Sequence, residues 1–389
     1  MSEFHAIDYY RVEELLTEEE ILIRNGIRDF VEKQAMPVIA EHFENHTFPA
    51  KLVPELARLG VFGCFLPEEY GCAGVSKAAY GVICRELERC DSGLRSFVSV
   101  QGSLAMYSIY TCGTEEQKKR WLPPMAEGKV IGCFGLTEPD YGSDPGGLVT
   151  RAEKTSAGYV LRGAKMWITN GTVADVAIVW AKLDGVVRGF LVEKGTPGYR
   201  PVPQRGKFSL RASDTSELIF EDCEIPEGNL LPESKGVVSP LRCLSSARYG
   251  IAWGAMGAAM DCFDRALRYG KERIQFGKPI ASFQLVQEKL VYMATEITKG
   301  QLMAWRLGRL LDEGKAKHTH ISMAKRNNVA VALEIARLAR DMIAANGIMS
   351  EYHVIRHMLN LEGVKTYEGT HDIHTLVLGA DITGIEAFR

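Results

Sequence analysis

Hydrophobic and polar positions change their rhythm twice along the chain. Up to about residue 130 apolar residues recur near helical spacing, as in Leu22, Ile23, Ile27, Phe30, Val31, Val38 and Ile39. Thr17 followed by Glu20 has the form of a capping box ahead of that run. Thr114 with Gln117 repeats the signal, and Pro123-Pro124 is expected to stop the second helix. From about 131 to 235 the apolar residues are β-branched and aromatic, as in "GYVLRGAKMWITNG" and "VADVAIVWAKLDGVVRGFLVEKG". Asp184-Gly185 between two such runs predicts a hairpin, and Leu218 and Phe220 alternate with polar neighbours.

From about 238 helical periodicity returns. "LSSARYGIAWGAMGAAMDCFDRALRYGKERI" reads as one long helix, with Gly250, Gly254 and Gly257 spaced for close packing. "QLVQEKLVYMATEITKGQLMAWRLGRLLDEG", "HISMAKRNNVAVALEIARLARDMIAANG" and the tail "THDIHTLVLGADITGIEAF" supply three more. The pattern predicts an α+β chain: a helical domain over 1–130, a middle antiparallel β domain over 131–237 and a C-terminal four-helix bundle over 238–389. It does not match a doubly wound α/β protein, in which strands and helices alternate.

Composition adds exclusions. At 389 residues the chain is long enough for two or three domains. A net charge of −3 gives no general electrostatic reason to bind nucleic acid or an anionic membrane. Nine scattered cysteines with no CxxC argue for free thiols, against a disulfide framework and against a zinc ribbon. The acidic start "MSEFHAIDYYRVEELLTEEE" has no signal-peptide or transit-peptide character, and no stretch reaches about 18 apolar residues. A cytoplasmic protein without membrane insertion is expected.

The chemistry is not carried by the common nucleotide motifs. GxGxxG and GxxxxGK[ST] are both absent, and "GKERIQFGKP" has the wrong spacing for a P-loop. "CFGLTEPDYGSD" (133–144) is a loop whose amides and hydroxyls suit a polar ring edge or a phosphate. "KMWITNG" (165–171) sets Trp167 beside Thr169, so an indole face could cover an aromatic cofactor while a hydroxyl bonds a ring nitrogen. Each of these alone also fits an ordinary loop or a packed strand. His353 and His357, and His371 and His374, have helical spacing but lack an HExxH arrangement, so no metal site is expected. In "RELERCDSGLRS" the helical character is expected to last to Gly93. Arg95 then reads either as a solvated helix-end residue or as a guanidinium fork for a substrate carboxylate. In "TYEGTHDIH" Glu368 stands between Tyr367 and Gly369, and is either a solvated turn or a general base at the mouth of a cavity.

Taken together, "CFGLTEPDYGSD", "KMWITN", "GKFSLRAS", "ARYGIAWG", "ERIQFGKPI", "NGI" and "TYEGTHDIH" resemble the acyl-CoA dehydrogenase family, in that family's order and over essentially the whole chain. "ELERCDSGLRS", "RYGIAWG", "EYHVIRHMLNLEGVKTYEGTHDIHTLVLG" and "ITGIEAF" are most similar to its glutaryl-CoA dehydrogenase branch. The resemblance implies FAD as cofactor, an acyl-CoA substrate, a homotetramer and an electron-transfer flavoprotein as acceptor. By motif, Phe134, Leu136, Thr137, Ser143, Trp167, Ile168, Thr169 and Thr370 would contact FAD. Arg273 and Gln284 would reach the FAD pyrophosphate of a neighbouring subunit. Ser143, Arg248 and Gly369 would lie along the path of the CoA thioester.

The same resemblance implies a reaction. Glu368 would remove the α-proton, its pKa raised by apolar surroundings, while the β-hydride goes to the flavin. The developing enolate would be held by a backbone N–H and a flavin hydroxyl. Arg95 would bind the distal carboxylate of glutaryl-CoA, with Glu88, Ser96, Ser99 and Tyr367 near it, and loss of carbon dioxide would give crotonyl-CoA. Phe97 and Val98, beside Arg95, could alter the acyl range. A non-decarboxylating or short- or branched-chain enzyme, an oxidase, and a nucleic-acid-associated flavoprotein of the same fold are the rivals. The last lacks support in residues 360–389, which are not basic.

Overall fold

A computed structural model describes residues 4–5 and 7–387. The N-terminal helices are α1 (Glu18–Phe30), α2 (Met36–Asn45), α3 (Val53–Arg58), α4 (Lys77–Cys90), α5 (Ser92–Ser99), α6 (Tyr107–Cys112) and α7 (Glu115–Ala126). Both capping boxes form: the side chains of Thr17 and Thr114 accept from the amides of Glu20 and Gln117, which bond back. Of the periodic apolar residues, Ile27, Phe30, Val31 and Ile39 are buried, whereas Leu22 faces solvent. Pro123-Pro124 does not stop α7, which runs on to Ala126. The prolines remove only their own donors. Their carbonyls still accept, Pro123 from Glu127 at 3.1 Å and Pro124 from Lys129 at 3.0 Å.

The strands are β1 (Gly132–Gly135), β2 (Arg151–Lys154), β3 (Gly158–Thr169), β4 (Val176–Leu183), β5 (Val186–Glu193), β6 (Tyr199–Pro203), β7 (Thr215–Pro226) and β8 (Leu230–Leu231). They form one sheet in the order β6-β7-β3-β2-β4-β5-β8, with β1 paired to β4. The β4–β5 hairpin turns at Asp184-Gly185, both at positive φ, so Leu183 faces Val186. The sheet is antiparallel along its hairpins but adds parallel pairings of β1 and β2 with β4, which residue alternation does not reveal. Those strands enter from loops rather than tight turns, so their direction is free of the hairpin constraint.

The C-terminal part contains α8 (Val238–Glu272), a short hairpin of β9 (Ile274–Gln275) and β10 (Lys278–Pro279), α9 (Gln284–Asp312), α10 (His318–Ile343), α11 (Val354–Thr366) and α12 (His371–Thr383). The bundle thus carries one helix, α11, beyond the four that apolar periodicity predicts. Helix α8 packs on α4 at very short range. A Cβ at Gly254 would lie 1.9 Å from Glu88 Oε2, and one at Gly257 would lie 1.9 Å from the Arg85 carbonyl. With α1 and α9 packed on its other sides, the charged face of α4 lies inside the molecule. Glu86 is fully buried among Arg28, Arg85 and Arg89. Burial alone would raise its pKa, but Arg85 and Arg28 hold the carboxyl well below its ordinary value. All nine cysteines are free and buried.

Candidate active site

The turn between α11 and α12 carries Glu368. Helix α11 ends at Thr366, and Thr370 caps α12, its side chain accepting from the Ile373 amide at 3.2 Å. The three residues between must reverse the chain, and Glu368 does so at φ +52° and Gly369 at φ +90°. A left-handed glutamate is an uncommon and strained conformation, and such strain collects at functional sites. A Cβ at Gly369 would come 2.9 Å from His374 Nε2, so the tight turn needs glycine there.

Two cations, buried Lys325 and half-buried Arg248, grip this turn. Lys325, on α10, donates to the carbonyls of Tyr367 (2.7 Å) and Gly369 (2.6 Å). Arg248, on α8, donates from Nε to the intervening Glu368 carbonyl at 2.7 Å. Three consecutive carbonyls are therefore held from two sides. The Glu368 Oε2 atom is buried and has no hydrogen-bond partner among the described residues. Burial raises its pKa, opposed by the charges of Arg95, Lys325 and Arg248. The surroundings are thus less apolar than the sequence suggests, because three cations face the carboxylate. Burial also lowers the pKa of Lys325, against the pull of Glu368.

Beside the turn lies a second charged group. Helix α4 ends at Cys90 rather than running to Gly93. Asp91, at φ −163°, breaks it and starts α5 by accepting from the Gly93 amide at 2.7 Å. The break swings Arg95 back over α4, where its Nε lies 2.6 Å from Glu88 Oε2 with both side chains fully buried. Arg95 is therefore not a solvated helix end. Its Nη2 donates to the Tyr367 hydroxyl, which also lies 3.2 Å from Ser96 Oγ. Burial would lower the Arg95 pKa, but Glu88 and Tyr367 raise it well above its ordinary value. Arg95 Nη1 and Glu88 Oε1 are left buried without hydrogen-bond partners among the described residues. Ser99 is buried one turn along α5, 3.4 Å from the Tyr80 hydroxyl. Phe97 is buried against Phe48 and Phe62, with ring centroids 4.7 and 5.7 Å away, and Val98 is also buried.

The third part is a bulge at the end of β3. The register with β7 shifts between Lys165 and Ile168, and Trp167 sits there at φ +63° with its side chain 63% exposed. The Met166 amide donates to the Thr137 carbonyl at 2.8 Å, tying the bulge to the 137–150 loop. Buried Lys165 holds that loop from below through the Leu136 carbonyl and Glu138, at 3.2 and 2.8 Å. Burial takes the Lys165 pKa down to about 8. Phe134, Leu136 and Ile168 are buried, Thr137 and Thr169 are half-buried, and Ser143 is exposed on the loop. Asn170 connects bulge and helix, its Nδ2 lying 3.4 Å from the carbonyls of Phe97 and Gly132.

Comparison with known proteins matches three successive patterns: "Acyl-CoA dehydrogenase, N-terminal domain" over residues 17–129, "middle domain" over 133–223 and "C-terminal domain" over 234–383. The chain belongs to the acyl-CoA dehydrogenase family. Among relatives, it is 35% identical to the human short-chain specific acyl-CoA dehydrogenase, over 98% of this chain and 93% of that protein. Among solved structures it is similar to a glutaryl-CoA dehydrogenase from Mycobacterium smegmatis, at 50% identity and TM-score 0.97 over all of both chains. A glutaryl-CoA dehydrogenase from the same organism in complex with FADH2 is 47% identical, also at TM-score 0.97 over both whole chains.

The family uses FAD. The residues present fit that group: the exposed indole of Trp167 offers a flat face, and the Thr137 and Thr169 hydroxyls and neighbouring amides offer polar contacts. The structure brings Glu368, Arg95, Glu88, Ser96, Tyr367, Arg248 and Gly369 into one cluster. Arg273, at the end of α8, and Gln284, the first residue of α9, stand exposed outside it. Lys325 was missed by sequence reading, since it lies mid-helix, 42 residues before Tyr367, with no local motif. Two of the histidines bond within the protein: His357 lies 3.2 Å from Asp261 and His374 Nδ1 lies 3.1 Å from Ser322 Oγ. Among the described residues no group of His, Cys, Asp and Glu is placed to hold a metal ion.

Proposed function

We propose that the protein oxidises and decarboxylates glutaryl-CoA to crotonyl-CoA and carbon dioxide, with Glu368 as the base. The single observation that carries this reading is the fully buried Arg95–Glu88 pair with Arg95 Nη1 unpartnered. A buried guanidinium with a free donor is mismatched to a plain alkyl chain and matched to a distal carboxylate.

Glu368 takes the α-proton of the thioester, and its unpartnered Oε2 is the atom available for it. Gly369 lets the backbone pass close to the thioester. FAD, when bound, accepts the β-hydride and so supplies the redox chemistry. Phe134, Leu136, Thr137, Ser143, Trp167, Ile168, Thr169 and Thr370 hold it in this reading. Arg95 fixes the distal carboxylate, with Glu88, Ser96, Ser99 and Tyr367 orienting it. Oxidation makes that carboxylate vinylogous to the thioester carbonyl. The carbon–carboxylate bond then breaks, carbon dioxide leaves, and its electron pair enters the thioester as a dienolate. Glu368, now protonated, returns a proton to carbon and gives crotonyl-CoA.

Arg248 and Ser143 lie along the thioester path in this reading. A homotetramer, with Arg273 and Gln284 reaching a neighbour's FAD, and an electron-transfer flavoprotein as acceptor complete it. The test is an absorbance spectrum of the purified protein before and after anaerobic glutaryl-CoA. Bleaching of the flavin band is expected. A band that bleaches with butyryl-CoA and not with glutaryl-CoA favours a short-chain enzyme instead.

A further inference from the structure

We propose that Lys325 is a positioning residue for the base, holding Glu368 in its strained left-handed turn by bonding the carbonyls on either side of it. The proposal rests on the reading of Glu368 as the base. Lys325 is 1% exposed, in the middle of α10, and its ammonium is 2.7 Å from the Tyr367 carbonyl and 2.6 Å from that of Gly369. For both carbonyls to meet one nitrogen, the Tyr367–Glu368 and Gly369–Thr370 peptides must turn the same way. The Glu368 carbonyl then points elsewhere, and Arg248 Nε meets it at 2.7 Å. This leaves Glu368 at φ +52°, a geometry that persists only where neighbours over-determine it. An apolar side chain of similar length would fill the same space. It would leave two buried carbonyls unpaired and the turn free to relax.

The second effect is electrostatic. The groups facing Glu368 come from every element around it: Cys84 and Glu88 on α4, Arg95 on α5, Arg248 on α8, Lys325 on α10, Tyr367 in the turn, and His374 on α12. Lys325 is the one that touches the turn on both sides of the base. Its charge favours the carboxylate, so removing it moves the ionisation of Glu368 upward.

The test compares the FAD-loaded parent with Lys325→Met. Amide exchange in the peptide covering 366–375 is expected to quicken by about 10-fold or more, as follows from losing hydrogen bonds to a charged donor. The kcat is expected to fall by roughly 10²-fold, the effect of a displaced catalytic group. The acid limb of the pH–rate profile is expected to move up by about one unit, as loss of a neighbouring opposite charge requires. Parent-like exchange, or an acid limb that stays in place, overturns the proposal. If Lys325→Met does not fold, Lys325→Arg decides. It keeps the charge but not the bracket, so exchange should rise and kcat fall while the acid limb stays; parent-like exchange overturns the proposal. Glu368→Gln separates the two readings. If it turns over like the parent the base assignment fails, whereas the exchange rates still report on the turn alone.

Discussion

Arg95 and Glu88 face each other across α5 and α4 at 2.6 Å, and neither side chain reaches solvent. Two ions taken from water in this way are held by each other and by their hydrogen bonds, and removing one leaves the other uncompensated. Glu88→Ala is therefore expected to destabilise the protein by about 3–5 kcal/mol. In the same variant the KM for glutaryl-CoA should rise far more than that for butyryl-CoA, because Arg95 loses its aim. Thermal unfolding and the two KM values check this; equal KM changes would detach Arg95 from substrate choice.

Gly254 sets the space that Glu88 occupies. A methyl group there would meet Glu88 Oε2 at 1.9 Å, so the carboxylate must move. Gly254→Ala is expected to lower stability by about 1–3 kcal/mol, as overpacking does. Its glutaryl-CoA turnover should fall while butyryl-CoA turnover is largely kept. The ratio of kcat/KM for the two esters is the measurement.

Glu368→Gln is expected to lower kcat by about 10²–10⁴-fold, the usual worth of a general base. It also has a stability signature. The pKa of Glu368 is raised in the folded protein, so its contribution is full below the ordinary carboxylate value and is lost as pH rises through the raised one. Glutamine does not ionise. The melting temperature of the variant should thus gain on the parent as pH rises across that window, and match it in acid. A variant that gains nothing at neutral pH would contradict burial as the cause.

The buried Glu86 behaves oppositely. Arg85, Arg28 and Arg89 hold its carboxyl below the ordinary range, so its stabilisation is full at neutral pH and lost only as pH falls through the depressed value. Glu86→Gln leaves these arginines short of charge and should cost about 3–5 kcal/mol. The gap from the parent should hold down to about pH 4 and narrow only below it. Melting curves from pH 3 to 8, a range chosen around the ordinary carboxylate value of about 4, check the sign.

Much of this architecture is legible in the residues. The capping boxes at Thr17 and Thr114 and the hairpin at Asp184-Gly185 are local chemistry, and local chemistry survives folding. The change of period near 131 and 238 marks where helix gives way to sheet and back. What the chain hides is non-local. Pro123 and Pro124 read as a stop, but their carbonyls are still useful to the last turn. The parallel pairings of β1 and β2 with β4 depend on where loops deliver strands. Arg85, Glu86 and Arg89 carry no local sign of burial, and it is the packing of α4 against α8, α1 and α9 that encloses them. Glu368, Arg95 and Tyr367 could be singled out through their motifs. Lys325 could not, because its partners are backbone carbonyls, and no side-chain pattern announces them.

The most direct test supplies glutaryl-CoA labelled in its free carboxylate, with an electron acceptor, and follows the label. The proposed chemistry predicts labelled carbon dioxide released one for one with crotonyl-CoA. Accumulation of glutaconyl-CoA with the label still attached would contradict it.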